Sequence, residues 1–106
     1  MRKYYKLTPE GTRDLLFEES NAINSVSSMI NTVFEEKGYH QVITPGLEFF
    51  DTFNLGGFGY MPEEMFISTD KKGRLLVMRP DSTVPIARMV STRLQDESLP
   101  LRLCYN

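Results

Sequence analysis

Met65-Phe66-Ile67-Ser68-Thr69-Asp70-Lys71-Lys72-Gly73-Arg74-Leu75-Leu76-Val77-Met78 is the stretch whose reading decides the fold. Two extended runs, 65–68 and 74–78, flank a short polar connection that closes on glycine. That spacing predicts a β-hairpin, and hairpins build antiparallel sheet. Arg79-Pro80-Asp81-Ser82-Thr83 follows the second run. Ser82 is a candidate N-cap for a helix running to about residue 94. Pro85 then falls in the first turn, where N–H groups have no intrahelical partner. Ile86, Val90 and Leu94 form one apolar stripe on this helix. Beyond Leu99-Pro100, residues 101–105 read as a last strand.

Upstream, residues 16–37 carry a helical pattern. Ile23, Val26, Ile30, Val33 and Phe34 recur at steps of three and four. Glu18 and Glu19 suit the positive end of the helix dipole, Lys37 the negative end, and Gly38 the C′ position. Residues 8–14 are turn-rich, and Thr8 and Asp14 are both candidate N-caps. The first eight residues look like an extended arm. Residues 39–44 predict a short strand, with Val42 and Ile43 as β-branched residues. Pro45 and Gly46 interrupt it, 47–50 is a second extended piece, and 54–59 is a loop. The order helix, strand, strand, hairpin, helix, strand predicts an α+β fold: an antiparallel sheet flanked by helices.

Composition bounds the function. A chain of 106 residues with 41% hydrophobic and 25% charged residues suits one domain or a piece of one, and argues against disorder. The net charge of −2 provides no basic field, so non-specific nucleic-acid binding is not expected. The single cysteine, Cys104, excludes an internal disulfide and a zinc site built on several cysteines. No apolar run approaches the ~20 residues that cross a bilayer. The basic N-terminus is not followed by a signal core, so the expected location is the cytoplasm.

Several chemistries lack their residues. There is no G-x-x-x-x-G-K-[ST] phosphate loop. Gly57 and Gly59 are followed by Pro62 where a third glycine of G-x-G-x-x-G would stand, which leaves a plain loop. The lone histidine, His40, cannot build a catalytic triad or a histidine-rich metal site and reads as an ordinary strand residue. Cys104 reads as a small buried hydrophobe. Glu63-Glu64 reads as a solvated face or a helix start. No cofactor and no metal is expected.

The informative constellation is Arg79-Pro80-Asp81-Ser82-Thr83, with Arg88 one helical turn and more beyond. A carboxylate and hydroxyls stand where a strand ends and a helix begins. Together they can accept hydrogen bonds from an ammonium group. Equally, Asp81 and Ser82 can simply cap the helix. The residues alone leave both readings open.

An ordered set of pieces then carries a resemblance: Thr8-Pro9-Glu10-Gly11-Thr12-Arg13-Asp14, Gly38-Tyr39, Thr44-Pro45-Gly46-Leu47-Glu48, Gly73-Arg74-Leu75-Leu76, Arg79 through Arg88, and Pro100-Leu101-Arg102-Leu103. Each piece is weak, but the order and spacing resemble the N-terminal part of histidyl-tRNA synthetase-like proteins, which have the class II synthetase fold. The resemblance spans about residues 8–105. It implies one partial class II domain over 1–106, from the motif 1 region through the strand preceding motif 2. The chain is expected to be a fragment, because motif 2, motif 3 and the histidine-specific motifs do not occur in it. An unprotected sheet edge in such a fragment is expected to favour self-association.

Two branches of this group compete. One is the synthetase, an enzyme; the other is the regulatory subunit of ATP phosphoribosyltransferase, a catalytically silent paralogue. The synthetases typically have R-P-E-G-T, whereas this chain has Asp81 for the glutamate and Ser82 for the glycine. The shorter acid withdraws its carboxylate by roughly 1 Å, which matters more to chemistry than to binding. Pro9-Glu10-Gly11 and Val84-Pro85-Ile86-Ala87 also resemble the regulatory branch. That branch implies no catalytic residues and a histidine site at Asp81 and Thr83, supported by Arg88. It implies a homodimer through Tyr39, Val42, Ile43 and Pro45, with histidine as effector and the short catalytic chain of ATP phosphoribosyltransferase as partner. The alternative is the synthetase, which activates histidine with ATP and magnesium and charges tRNA. A third reading is an association module without a ligand.

Overall fold

The helical periodicity of the first third produces a single long helix, α1, over Phe17–Glu36. The computed structural model describes residues 3–54 and 60–106. Neither Thr8 nor Asp14 caps α1. The helix is entered through Leu16 in extended conformation, with no side-chain cap, and through Phe17 at φ 47°. The threonine side chains are engaged locally instead. Thr8 Oγ1 donates to the Thr12 carbonyl at 3.0 Å, and Thr12 Oγ1 donates to the Pro9 carbonyl at 2.6 Å. Arg13 pairs with Glu19 in the first turn. At the other end Lys37 is the C-cap, and Gly38 takes the left-handed φ of 82° that ends the helix. No residue of α1 is buried, and Ile23, Val26, Met29, Ile30 and Val33 form an exposed apolar stripe. The segment through Gly38, with Asn106, forms one compact unit, and Tyr39–Tyr105 forms the other.

The second unit holds two sheets. β1 (His40–Gln41) pairs with β5 (Leu103–Cys104), His40 opposite Leu103 and Gln41 opposite Cys104. This pair is parallel, a departure from the antiparallel sheet expected throughout. Both strands are shorter than the runs 39–44 and 101–105. Beyond Gln41 only the Val42 N–H continues the ladder, to the Cys104 carbonyl at 2.9 Å. Ile43 turns out to solvent, 83% exposed, and Pro45 has no N–H to donate. Cys104 is buried, as its reading as a small hydrophobe required.

The predicted hairpin forms the heart of the other sheet. β3 (Ile67–Thr69) and β4 (Leu75–Met78) pair antiparallel, with Thr69 opposite Leu75. Its turn is built on Asp70. The Asp70 carboxylate accepts the N–H groups of Lys72 at 2.8 Å and Arg74 at 3.0 Å, and pairs with Arg74 Nε at 2.6 Å. The backbone N–H of Arg74 is the main cause holding the Asp70 carboxyl below its ordinary range. Gly73 supplies φ +77°. β2 (Leu47–Phe49) joins the other edge of β4 antiparallel, giving the order β2–β4–β3.

Register then sorts the side chains. Glu48 lies opposite Val77 on the inward face, while Leu47 opposite Met78 and Phe49 opposite Leu76 take the outward face. The extended reading of 47–50 stops one residue early. Phe50 opens a short helical turn, α2 (Phe50–Phe53), that swings Phe53 into the core. Residues 55–59 of the expected 54–59 loop, with Gly57 and Gly59, lie outside the described residues. A 3-10 turn over Pro62–Glu64 follows, in which Glu64 accepts the Met61 N–H at 3.0 Å. α3 (Thr83–Arg93) begins with Val84 and Pro85 buried. Phe53, Val77 and Val84 form the core, with Phe50, Tyr60 and Met65 packed around them. Among the described residues, no helix is long and apolar enough to cross a membrane.

Phe53 is 2% exposed at the centre of this small cluster. Phe53→Ala is expected to lower stability by about 3 kcal/mol, and Phe53→Leu by less, read from urea unfolding followed by circular dichroism. A loss under about 1 kcal/mol for the alanine variant contradicts the core assignment.

Candidate functional site

β4 runs directly into the turn Arg79–Ser82 and thence into α3, so the end of the buried strand aims this turn. Arg79 fixes it from below. Its Nη1 donates to the Thr44 carbonyl at 3.0 Å and to Thr44 Oγ1 at 2.6 Å, and its own N–H bonds the Gly46 carbonyl at 3.0 Å. Thr44 is buried, so this polar knot ties the segment after β1 to the end of β4.

Ser82 holds the N-cap position of α3, as expected, but the side chain that caps the helix is that of Asp81. Asp81 Oδ1 accepts the backbone N–H of Thr83 at 3.1 Å and that of Val84 at 3.4 Å, whereas the Ser82 side chain makes no cap bond. An aspartate reaches the N–H two residues ahead with little strain, and it suits the positive end of the helix dipole. Its second oxygen, Oδ2, accepts the phenol hydrogen of Tyr60. Thr83 Oγ1 lies 3.5 Å from the Tyr105 hydroxyl. The site therefore gathers one carboxylate, one threonine hydroxyl and two phenols at the N-terminus of α3.

Electrostatics follow from these contacts. The hydrogen bond to Asp81 is the largest cause raising the Tyr60 phenol above its ordinary value of 10.0, with burial and the Asp81 charge acting in the same direction. A carboxylate has about four acceptor positions. Two on Oδ1 are taken by N–H groups and one on Oδ2 by Tyr60, which leaves one for a ligand.

Arg88 does not meet Asp81. Its Nη2 donates to Glu48 Oε1 at 2.9 Å, where Glu48 is 7% exposed and the Arg88 side chain 34%. Arg88 thus ties α3 to β2. An open hollow of about 370 Å³ beside this pair is lined mainly by Pro45, Leu47, Phe49, Thr52 and Leu76. Its charged groups, Glu48 and Arg88, already engage each other. Of the residues expected at a dimer interface, Ile43 and Pro45 are exposed, Val42 is half-buried, and Tyr39 sits at the boundary of exposure.

Three participants escaped sequence reading: Tyr60, Tyr105 and Glu48. Glu48 had a faint signal, as the one acidic residue inside an apolar extended run. Tyr60 had none, since it stands 21 positions from Asp81.

The sequence pattern of the family described as histidyl-tRNA synthetase matches residues 11–106. The chain belongs to the histidyl-tRNA synthetase family. Within it, the chain is 39% identical over 105 residues to the ATP phosphoribosyltransferase regulatory subunit of Clostridium botulinum strain Langeland, covering 99% of this chain and 25% of that one. It is 42% identical over 100 residues to the protein of the same name from Clostridium acetobutylicum, covering 94% of this chain and 25% of that one. The chain thus spans about a quarter of the length of these relatives. Among solved structures, an ATP phosphoribosyltransferase regulatory subunit/histidyl-tRNA synthetase from Bacillus halodurans superposes with a TM-score of 0.85 at 33% identity, over 96% of this chain and 27% of that one. The apo histidyl-tRNA synthetase of S. aureus superposes with a TM-score of 0.79 at 27% identity, over 93% of this chain and 24% of that one. The fold is the α+β arrangement of class II histidyl-tRNA synthetase-like domains, as expected from the resemblance.

Two measurements test the geometry. Arg88→Met leaves the Glu48 carboxylate buried without its partner, and is expected to cost about 3 kcal/mol in urea unfolding. The double variant Arg88→Met/Glu48→Leu is expected to recover most of that loss, and failure to recover any contradicts the pairing. In an absorbance titration at 295 nm, Tyr60 is expected to ionise after an ordinary tyrosine, and Tyr60→Phe removes that late step. Because the folded-state value is raised, its stabilisation is complete below pH 10 and is lost as pH climbs through the raised value.

Proposed function

We propose that this chain is part of a regulatory subunit of ATP phosphoribosyltransferase, needed for the first step of histidine biosynthesis and regulating it in response to histidine. The observation that carries the reading is the state of Asp81. Its carboxylate is drawn back onto α3 and bonded by Tyr60, with one acceptor position left. That suits holding an ammonium group more than placing a reacting one, which demands tighter positioning than binding does. The names of relatives at about 40% identity support the same reading.

In this proposal Asp81 and Thr83 meet the α-ammonium group of histidine, and Arg88 keeps α3 in place. No residue of the chain is catalytic. The 106 residues form part of one class II-like domain. The protein works in the cytoplasm with the short catalytic chain of ATP phosphoribosyltransferase. It forms a homodimer through Tyr39, Val42, Ile43 and Pro45, and the exposed apolar stripe of α1 is a second surface open to pairing. Regulation requires that histidine bind one state of the assembly better than another.

The second reading, a histidyl-tRNA synthetase, is favoured by the matching family description. Calorimetry and ATP–pyrophosphate exchange on the full-length protein separate the two. Histidine binding without exchange is expected, and Asp81→Ala is expected to weaken binding by roughly tenfold or more, since it removes the charged partner of an ammonium. Exchange above background favours the synthetase, and an unchanged affinity in the Asp81 variant removes the site assignment.

A further inference from the structure

The proposed function gives neither phenol of the cluster a contact with the ligand, and Tyr60 is the phenol bonded to Asp81. Its ring belongs to the core: it meets Phe53 edge to face, with centroids 6.0 Å apart and planes at 81°, and packs against the Phe53–Val77–Val84 cluster. Its hydroxyl emerges from that core at Asp81 Oδ2. The direction of this hydrogen bond is settled by chemistry, because an ionised carboxylate only accepts. The phenol hydrogen is therefore committed to Asp81, and what Tyr60 Oη has left to offer is its lone pairs.

A primary ammonium has three N–H donors. The remaining acceptor position on Asp81 Oδ2 satisfies one, and the hydroxyl of Thr83, whose backbone N–H already bonds the same carboxylate, satisfies a second. We propose that Tyr60 is a ligand-contacting residue whose phenol oxygen, polarised and oriented by Asp81, is the third acceptor for the ammonium group. The proposal rests on the histidine-site reading given above and adds the residue that completes its selectivity for an amine. A hydroxyl in place of the ammonium offers one donor to three acceptors and a hydrogen offers none, and such sites reject ligands that leave their polar groups unpaired. A phenol is neutral across the physiological range at its ordinary value of 10.0, and the hydrogen bond to Asp81 moves it further from ionisation. A packed ring and a single rotatable hydroxyl also make Tyr60 a rigid acceptor that does not have to be ordered when the ligand arrives.

The test is a ligand-by-variant cycle on the full-length protein by calorimetry. Histidine and imidazolepropionate, which lacks the α-amine, are titrated into the wild type and into Tyr60→Phe, which keeps the ring and its contact with Phe53. The expected result is that Tyr60→Phe weakens histidine by roughly five- to tenfold and leaves imidazolepropionate unchanged. Equal weakening of both ligands overturns the proposal, because it marks a structural role. Tighter histidine binding in Tyr60→Phe also overturns it, because the phenol then competes with the ammonium instead of receiving it. Both results leave the histidine site standing so long as Asp81→Ala still weakens binding. If the wild type binds no histidine, the site reading fails and this proposal falls with it.

Discussion

A carboxylate buried in the middle of a strand must have a partner, and the Glu48–Arg88 pair meets that constraint for the whole second unit. Glu48 points inward from β2 and is buried, and Arg88 on α3 supplies the charge at 2.9 Å. The desolvation of Glu48 is severe unless α3 lies where the guanidinium can reach it. The pair therefore sets the helix against the sheet more narrowly than the apolar contacts of Val84 and Val77 alone would. Apolar contacts tolerate sliding; an ion pair with one buried end does not. Arg79 does the same from the other side, tying the end of β4 to Thr44 and Gly46. Between these two arginines the turn Arg79–Ser82 has little freedom left, and the N-terminus of α3 is presented in one place.

The candidate site is a consequence of that placement. Asp81 is short, so its carboxylate folds back onto the first free N–H groups of α3. A glutamate at the same position carries its carboxylate one methylene further and is less suited to this local bond. The substitution that separates this chain from the usual R-P-E-G-T pattern thus has a direct physical result. Part of the carboxylate is used to end a helix, and its other oxygen is anchored by a phenol rising from the core. A group held this firmly is a good binding partner, and it has little freedom to follow a reaction.

Much of the fold was legible because its signals are local. The hairpin was visible from the turn chemistry of 69–73, and Asp70 and Gly73 perform the roles their residue types suggest. The two long helices were visible from spacing of three and four. What failed to show were features decided at a distance. The parallel pairing of β1 with β5 joins residues more than sixty positions apart and has no local signature. The turn α2 was masked because Phe50 and Phe53 suit a strand as well as a helix, and the pull of the core decided between them. Thr8 and Asp14 are good caps by type, but Thr8 spent its hydroxyl on Thr12 and α1 began three residues after Asp14. At the site, Asp81 and Thr83 could be named because they sit in one short motif. Tyr60 and Glu48 could not, because only the folded chain brings them to Asp81 and Arg88.

In the proposed site, an ammonium at a helix N-terminus faces a difficulty that an acid removes. The first turn of α3 presents the positive end of the helix dipole, about half an elementary charge, and repels a cation on its own. Backbone N–H groups aimed outward would leave nothing for an ammonium to donate to. Asp81 reverses both conditions at once. Its full negative charge outweighs the dipole, and its Oδ1 absorbs the N–H groups of Thr83 and Val84 that would otherwise face the ligand. In the proposal, what remains for the ligand is acceptors: the free position of Oδ2, the Thr83 hydroxyl and the oxygen of Tyr60. The helix end, which by itself favours anions, takes the opposite preference in the proposed site through one side chain. The same conversion binds the site's selectivity to the stability of α3, since the residue that makes the pocket attractive to a cation is also the residue that caps the helix.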